Sequence, residues 1–220
     1  MKENSMETAQ RPFLTSLPGA EIREFPYRHW LLDHCLPEDV IDAIINLPIA
    51  PVHIGNTKGK RDTHNKTRVL FSEANRKQYK VMDELARAFQ FQETVDALKE
   101  ATGALLSDTS LRIEYCQDTD GFWLEPHTDI GVKRFTLLIY LNREPEGADW
   151  GTDIYADPHT HVGRAPAGFN SGFIFVPSDK TWHGFEKRPI NGVRKSLIIN
   201  YVTQDWRSRE ELSFPDVVVR

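Results

Sequence analysis

The stretch LEPHTDIGVKRFTLLIYLN, Leu124 to Asn142, decides how the rest of the chain is read. Its second half, RFTLLIYLN, is a run of apolar, β-branched and aromatic residues, long enough for a buried strand and short for a helix. Its first half puts His127 and Asp129 two residues apart, just before that strand. A His-x-Asp pair alone is common on protein surfaces. It becomes part of a metal site only if a third donor arrives from elsewhere in the fold.

Around this strand the chain changes character once. LPEDVIDAIINLP carries Val40, Ile41, Ile44 and Ile45 at helical spacing and is closed by Pro48. SEANRKQYKVMDELARAFQ reads as one amphipathic helix with Ser72 as N-cap. QETVDALKEATG reads as a second helix ended by Gly103. After these come LRIEYCQ, RFTLLIYLN, GTDIYAD, SGFIFVPS and RKSLIINYVT, short strand-like runs divided by Gly, Pro, Asn and Asp. Helices first and strands later predict an α+β domain, mainly β, a sandwich or jelly roll with the N-terminal helices packed on one outer face.

The third donor is His183. The segment FIFVPSDKTWHGF places it at the end of a strand, and GVRKSLIINYVT then begins another strand with Arg194, Ser196 two places on. Two imidazoles and one carboxylate form a facial set that suits non-haem Fe(II) and leaves coordination positions open. Arg194 adds a permanently charged fork that can hold a carboxylate through two hydrogen bonds.

These residues resemble the 2-oxoglutarate and Fe(II)-dependent oxygenases, in particular the prolyl 4-hydroxylase-like branch. The resemblance spans residues 20–205 and is densest in LRIEYCQDTDGFWLEPHTD, RFTLLIYLN and TWHGF…GVRKSLIINYVT. It implies a double-stranded β-helix, a jelly-roll barrel. It implies Fe(II) on His127, Asp129 and His183, with 2-oxoglutarate and O2 as cosubstrates and ascorbate as an auxiliary reductant. Arg194 would meet the far carboxylate of 2-oxoglutarate, with Tyr140, Tyr115 and Ser196 as further contacts in its pocket. The family's Gly-Gly-x-Leu segment after the strand is replaced here by ADWGTDIYAD, a difference that falls on the substrate side. Asp129 stands where a halogenating relative has Gly, so the resemblance implies hydroxylation or another C–H oxidation.

Other features read more plainly. His159 and His161, in DPHTHVG, are assigned to a Pro/Gly surface loop, and Trp182 to packing beside His183. GNTKGKR lacks the spacing and the hydroxyl residue of a phosphate loop. The cluster Lys58, Lys60, Arg61, Lys66 and Arg68 is read as a basic loop that covers the site or meets an anionic part of the substrate.

The 220 residues are 40% hydrophobic and 27% charged, values of a globular domain. A net charge of -5 gives no nucleic-acid footprint, and no apolar run approaches the roughly 18 residues of a spanning helix. Residues 1–12, polar and without an apolar leader core, read as a disordered tail, and 13–220 as one domain. Two cysteines, Cys35 and Cys116, make no disulfide framework and point to the cytoplasm.

The expected activity is an iron- and 2-oxoglutarate-dependent hydroxylase of a small-molecule or amino-acid-like substrate, without nucleic-acid or membrane partners. Three alternatives stay open: a protein prolyl hydroxylase, a nucleic-acid demethylase and a non-catalytic barrel binding iron and 2-oxoglutarate. Arg188 and Arg194 are spaced like the paired arginines of the demethylases, but Arg188 lies close to His183.

Overall fold

The structure, a computed structural model, describes residues 5–53, 55, 58–60 and 67–220, with side chains from residue 9 onward. Residues Arg61 and Lys66 of the basic cluster lie outside the described residues.

Five helices precede the main run of strands: α1 (Ser5–Ser16), α2 (Glu38–Ile45), α3 (Glu73–Gln78), α4 (Lys80–Gln90) and α5 (Gln92–Thr102). Helix α1 stands where residues 5–12 were expected to belong to a disordered tail; residues 1–4 of that expectation lie outside the described residues. Ala9, Phe13 and Leu17 recur every four residues and are all buried. Phe13 meets Phe89 of α4 with ring centroids 5.1 Å apart, and Gln10 donates from Nε2 to Glu93 of α5 at 3.0 Å. Pro12 and the polar composition mask this stripe in the sequence. The segment opened by Ser72 also differs from expectation, forming two helices. Ser72 does cap the first, accepting from the Asn75 N–H. Tyr79 then turns extended (φ -119°, ψ 108°). The break lets α3 stay at the surface while α4 buries Met82, Leu85, Ala86, Ala88 and Phe89. Gly103 ends α5 at φ +71°, the left-handed region where glycine carries no Cβ penalty.

The strands form two antiparallel sheets. The larger, ordered β1-β2-β9-β6-β11-β4-β3, contains β1 (Glu21–Arg23), β2 (His29–Leu32), β3 (Val69–Leu70), β4 (Ser110–Asp118), β6 (Lys133–Tyr140), β9 (Gly172–Phe175) and β11 (Arg194–Val202). The smaller, ordered β5-β10-β7-β8, contains β5 (Leu124–His127), β7 (Asp153–Asp157), β8 (Thr160–Arg164) and β10 (His183–Phe185). Two details depart from the sequence reading. His183 opens a strand of its own rather than ending the previous one. His161 lies in β8, so DPHTHVG is half of a β7–β8 hairpin and not a loop.

Alternation along the central strands sorts residues to two sides. Phe135, Leu137 and Ile139 of β6, Leu197, Ile199 and Tyr201 of β11, and Leu111, Ile113 and Tyr115 of β4 join the helices in the main core. On the opposite side Leu138 and Tyr140 of β6 and Phe173 and Phe175 of β9 pack with Ile154 of the smaller sheet. The two sheets therefore face each other, and the helices cover only the outer side of the larger one. No closed barrel is found among the described residues. No helix among them is long and apolar enough to cross a membrane.

Candidate active site

His127 ends β5 and His183 begins β10, and the antiparallel register sets these two residues directly opposite each other. Side chains of facing residues in such a pair lie on the same side of the sheet. The imidazole centroids are accordingly 4.4 Å apart. Each ring spends Nδ1 on a backbone carbonyl two residues upstream, His127 on Glu125 at 2.8 Å and His183 on Thr181 at 2.9 Å. With Nδ1–H donated there, the lone pair of each ring sits on Nε2. Burial, and then the neighbouring His127, lowers the His183 pKa to about 4, so that ring is neutral across ordinary pH.

Asp129 follows two residues after His127. Its Oδ2 accepts from the Thr136 hydroxyl at 3.0 Å, and its Oδ1 pairs with the Lys133 ammonium at 2.6 Å. Thr136 is itself fixed by the Asn200 amide at 2.9 Å. Thus β6 and β11 of the larger sheet hold the carboxylate, while the smaller sheet supplies both imidazoles. One donor atom from each of His127, Asp129 and His183 lies within 4.8 Å of the others. Two imidazole nitrogens and one carboxylate, with no cysteine among the described residues lining the cavity, fit a divalent first-row cation. The three residues stand at one end of a cavity of about 50 Å³ between the sheets.

At its other end that cavity is lined by Arg194, Arg68 and Thr152. Arg194 donates from Nε to the Trp150 carbonyl at 2.7 Å and from Nη1 to Asp118 at 2.6 Å. Arg68 reaches the other oxygen of Asp118 at 2.7 Å, its side chain 4% exposed. Burial opposes the charge on Arg68, and Asp118 together with Cys116 more than offsets it, so the guanidinium pKa is raised. Arg68, the last member of the basic cluster, lines the cavity. Of that cluster's described members, Lys58 and Lys60 flank Gly59, whose carbonyl accepts from the Glu125 N–H at 2.9 Å. A Cβ on Gly59 would meet Trp123 and Glu125 at 2.6 Å, so residues 58–60 lie tightly against the start of β5.

The remaining expected contacts divide. Tyr140 is on the cavity side of β6, but its hydroxyl donates to Thr152 Oγ1 at 2.9 Å and accepts from the Thr152 N–H at 3.0 Å. Thr152, not Tyr140, lines the cavity, and its own hydroxyl proton is left for whatever the cavity holds. Ser196 shares the inner face of β11 with Arg194 and is fully buried, yet it stands off the cavity wall. Tyr115 is not brought to the site at all. It pairs with Leu197 across the β4–β11 ladder, on the side that packs against the helices. Sequence reasoning also missed Asp118, Lys133, Thr136 and Thr152. Lys133 and Thr136 were within view, four and seven residues after Asp129, whereas Asp118 and Thr152 act only through the tertiary fold.

A second acidic and histidine group, Asp153, His161 and Glu186, has donor atoms equally close together. Asp153 is already neutralised by Arg188 at 2.6 Å and Arg164 at 3.0 Å, which hold its carboxyl below the ordinary range despite burial. This group is an ion-pair hub that ties β7 to β8, and it commits Arg188 away from the cavity.

A neighbouring groove of about 410 Å³ shares Arg68, His127, Asp129 and Lys133 with the cavity. The groove continues past Ile130, Trp206 and Glu211.

No family model matches the chain, and no curated protein matches it in sequence. Solved structures do match it. A prolyl 4-hydroxylase from Phytophthora capsici aligns with a TM-score of 0.56 at 18% identity, over 81% of this chain and 59% of the other, so the present chain spans under two thirds of that protein. A prolyl hydroxylase from Trichoplax adhaerens, in complex with a peptide fragment of the hypoxia inducible factor oxygen degradation domain, aligns with a TM-score of 0.56 at 11% identity over 89% of each chain. The viral collagen prolyl hydroxylase of Paramecium Bursaria Chlorella virus-1, as its 2OG complex, aligns with a TM-score of 0.50 at 14% identity, over 79% of this chain and 94% of the other. At such identities the likeness is one of architecture: the chain shares the fold of these prolyl hydroxylases.

Proposed function

We propose that this chain is an Fe(II)- and 2-oxoglutarate-dependent dioxygenase that hydroxylates, or otherwise oxidises, a C–H bond of its substrate. The observation that carries the reading is the convergence of His127, Asp129 and His183, both imidazoles presenting Nε2, at one end of a cavity whose other end holds arginines. His127, Asp129 and His183 would hold the iron. Arg194 would hold the far carboxylate of 2-oxoglutarate, with the Thr152 hydroxyl as a second donor and Tyr140 positioning Thr152. Once bound, iron and 2-oxoglutarate supply the oxidising chemistry with O2, yielding succinate and carbon dioxide. The protein's part is to orient the partners and to exclude water. Thr136 and Lys133 fix the Asp129 carboxylate, while Phe122 and Phe185 flank the Arg194 guanidinium and keep that end dry.

We read the two sheets as the halves of a double-stranded β-helix. From β4 onward the chain alternates between them except at the β7–β8 hairpin, with β4, β6, β9 and β11 in the larger sheet and β5, β7, β8 and β10 in the smaller, and this supports that topology. Both cysteines are free and buried, in keeping with a cytoplasmic setting.

Two substrate classes fit the groove. A small molecule or free amino acid suits its 410 Å³. A prolyl residue within a peptide is favoured by the Trichoplax neighbour, which was solved with a peptide fragment. The test begins with an anaerobic titration of Fe(II) and 2-oxoglutarate, followed by the visible charge-transfer band of the chelate. The band is expected in the native protein and absent in His183→Ala and His127→Ala. A folded native protein without the band would refute the assignment. Succinate release across a panel of amino acids and proline-bearing peptides then separates the two substrate classes.

A further inference from the structure

Asp118 is the last residue of β4, and it stands between two neighbouring strands. On one side its backbone partner across the β4–β11 ladder is Arg194. On the other side β3 pairs with β4 through Val69 and Leu70, which brings Arg68, the residue just before β3, alongside. The three side chains are 4%, 1% and 6% exposed for Arg68, Asp118 and Arg194. One carboxylate thus faces two guanidiniums, and the group carries one net positive charge out of reach of bulk water.

The commitments of the two arginines differ. Arg194 is fixed by Trp150 and Asp118 through Nε and Nη1. Arg68 lies at ion-pair distance from Asp118, yet its Nε is buried without a hydrogen-bond partner among the described residues. Phe122 lies under both guanidiniums, 5.4 Å from that of Arg68 and 5.9 Å from that of Arg194. Arg68 and Arg194 share the one Asp118 carboxylate, and Arg68 has besides it only the weakly polar Cys116 thiol, so one buried positive charge is left over that an anion would complete. Arg68 also borders both the inner cavity and the outer groove, so an anion placed there would be in contact with both chambers.

We propose that Arg68 is a specificity-determining residue for the oxo acid: together with Arg194 it forms a two-guanidinium receptor around Asp118 that requires a second carboxylate on the ligand. This rests on the reading of the cavity as an iron and oxo-acid site. An oxo acid with one carboxylate can occupy the metal end but leaves the positive charge uncompensated. A dicarboxylate neutralises it, in surroundings dry enough for charge-assisted hydrogen bonds to count.

The experiment is anaerobic calorimetric titration of Mn(II)-loaded full-length protein with 2-oxoglutarate and with 2-oxobutyrate, which has the same oxo-acid head without the second carboxylate. No turnover is involved. Arg68→Met leaves Asp118 paired with Arg194, so the remaining pair is neutral and the fold is expected to survive. Its affinity for 2-oxoglutarate should fall about 10- to 100-fold, the scale of one or two hydrogen bonds to a charged group. Its affinity for 2-oxobutyrate should stay within about threefold, because that ligand makes no such bonds. Arg68→Lys, which keeps the charge and loses the fork, should fall between native and Arg68→Met for 2-oxoglutarate alone, and it serves if the methionine variant does not fold. Unchanged 2-oxoglutarate affinity in both variants, or equal weakening of both acids, would overturn the proposal. If the native protein binds neither acid while Arg68→Met is well folded, the cavity reading itself fails. If Arg194→Met loses 2-oxoglutarate and Arg68→Met does not, only the role of Arg68 falls.

Discussion

Lys133 shows how much of a site can rest on one side chain that no motif contains. Its ammonium lies 2.6 Å from Asp129, and the two side chains are 5% and 6% exposed. Truncating one partner of a buried ion pair typically costs about 3–5 kcal/mol. Lys133→Met should therefore lower the metal-free protein's stability by roughly that amount in urea unfolding. A divalent cation on His127, Asp129 and His183 would supply the missing countercharge, so saturating Mn(II) should restore most of the loss. A deficit of the same size with and without Mn(II) would mean that Lys133 acts by packing rather than by charge. The three metal-site candidates themselves were legible, because His-x-Asp before a strand and a later His before an Arg-led strand are patterns of local sequence. Asp118 and Thr152 were not, because their roles come from strands that become neighbours only in the fold, and Arg68 was legible only as one member of a basic cluster. Tyr115 was misplaced by matching a motif without counting parity. In β4, Leu111, Ile113 and Tyr115 share one face, and Asp118, an odd number of residues further on, takes the other.

At the scale of elements, α1 separates stability from function. Its buried stripe packs on α4 and α5, on the outer side of the larger sheet, whereas the cavity lies between the sheets. Deleting residues 1–12 should cost on the order of 3 kcal/mol, comparable to truncating a large buried side chain, because Phe13 is left with no helix to hold it in place. Mn(II) affinity in the folded fraction should not change. A shortened protein as stable as the full chain in denaturant unfolding would return these residues to the status of a tail. Sequence patterning caught α2 and α5 because their apolar spacing and stop signals agree. It missed α1 because its first half is mostly polar and Pro12 interrupts it just before Phe13. It fused α3 with α4 because nothing in the residues around Tyr79 announces a break. The long central strands β4, β6 and β11 were read correctly from their apolar runs. The short strands β1, β3 and β10 owe their existence to pairing, which a single sequence does not display.

For the whole molecule, the decisive relation is that the donors are divided between the sheets. His127 and His183 sit on β5 and β10 of the smaller sheet, while Asp129 is held by Lys133 and Thr136 of β6 in the larger one. A cation bound to all three would join the two sheets at a point where, among the described residues, no backbone ladder does. Binding that favours the folded state adds RT ln(1 + [L]/Kd), about 2.7 kcal/mol at a hundredfold excess over Kd. That gain should be unevenly distributed, since local opening of each segment draws on its own contacts. Amide hydrogen exchange with and without Mn(II) should therefore show added protection in β5, β10 and the start of β6. Helices α1, α4 and α5, packed on the far side of the larger sheet, should change little under conditions where they exchange by local opening. Protection confined to β5 and β10 would mean that the imidazoles bind the cation without Asp129. Uniform protection of helices and strands alike would mean that the sheets already open as one cooperative unit, and that the cation does not act as a local clamp between them.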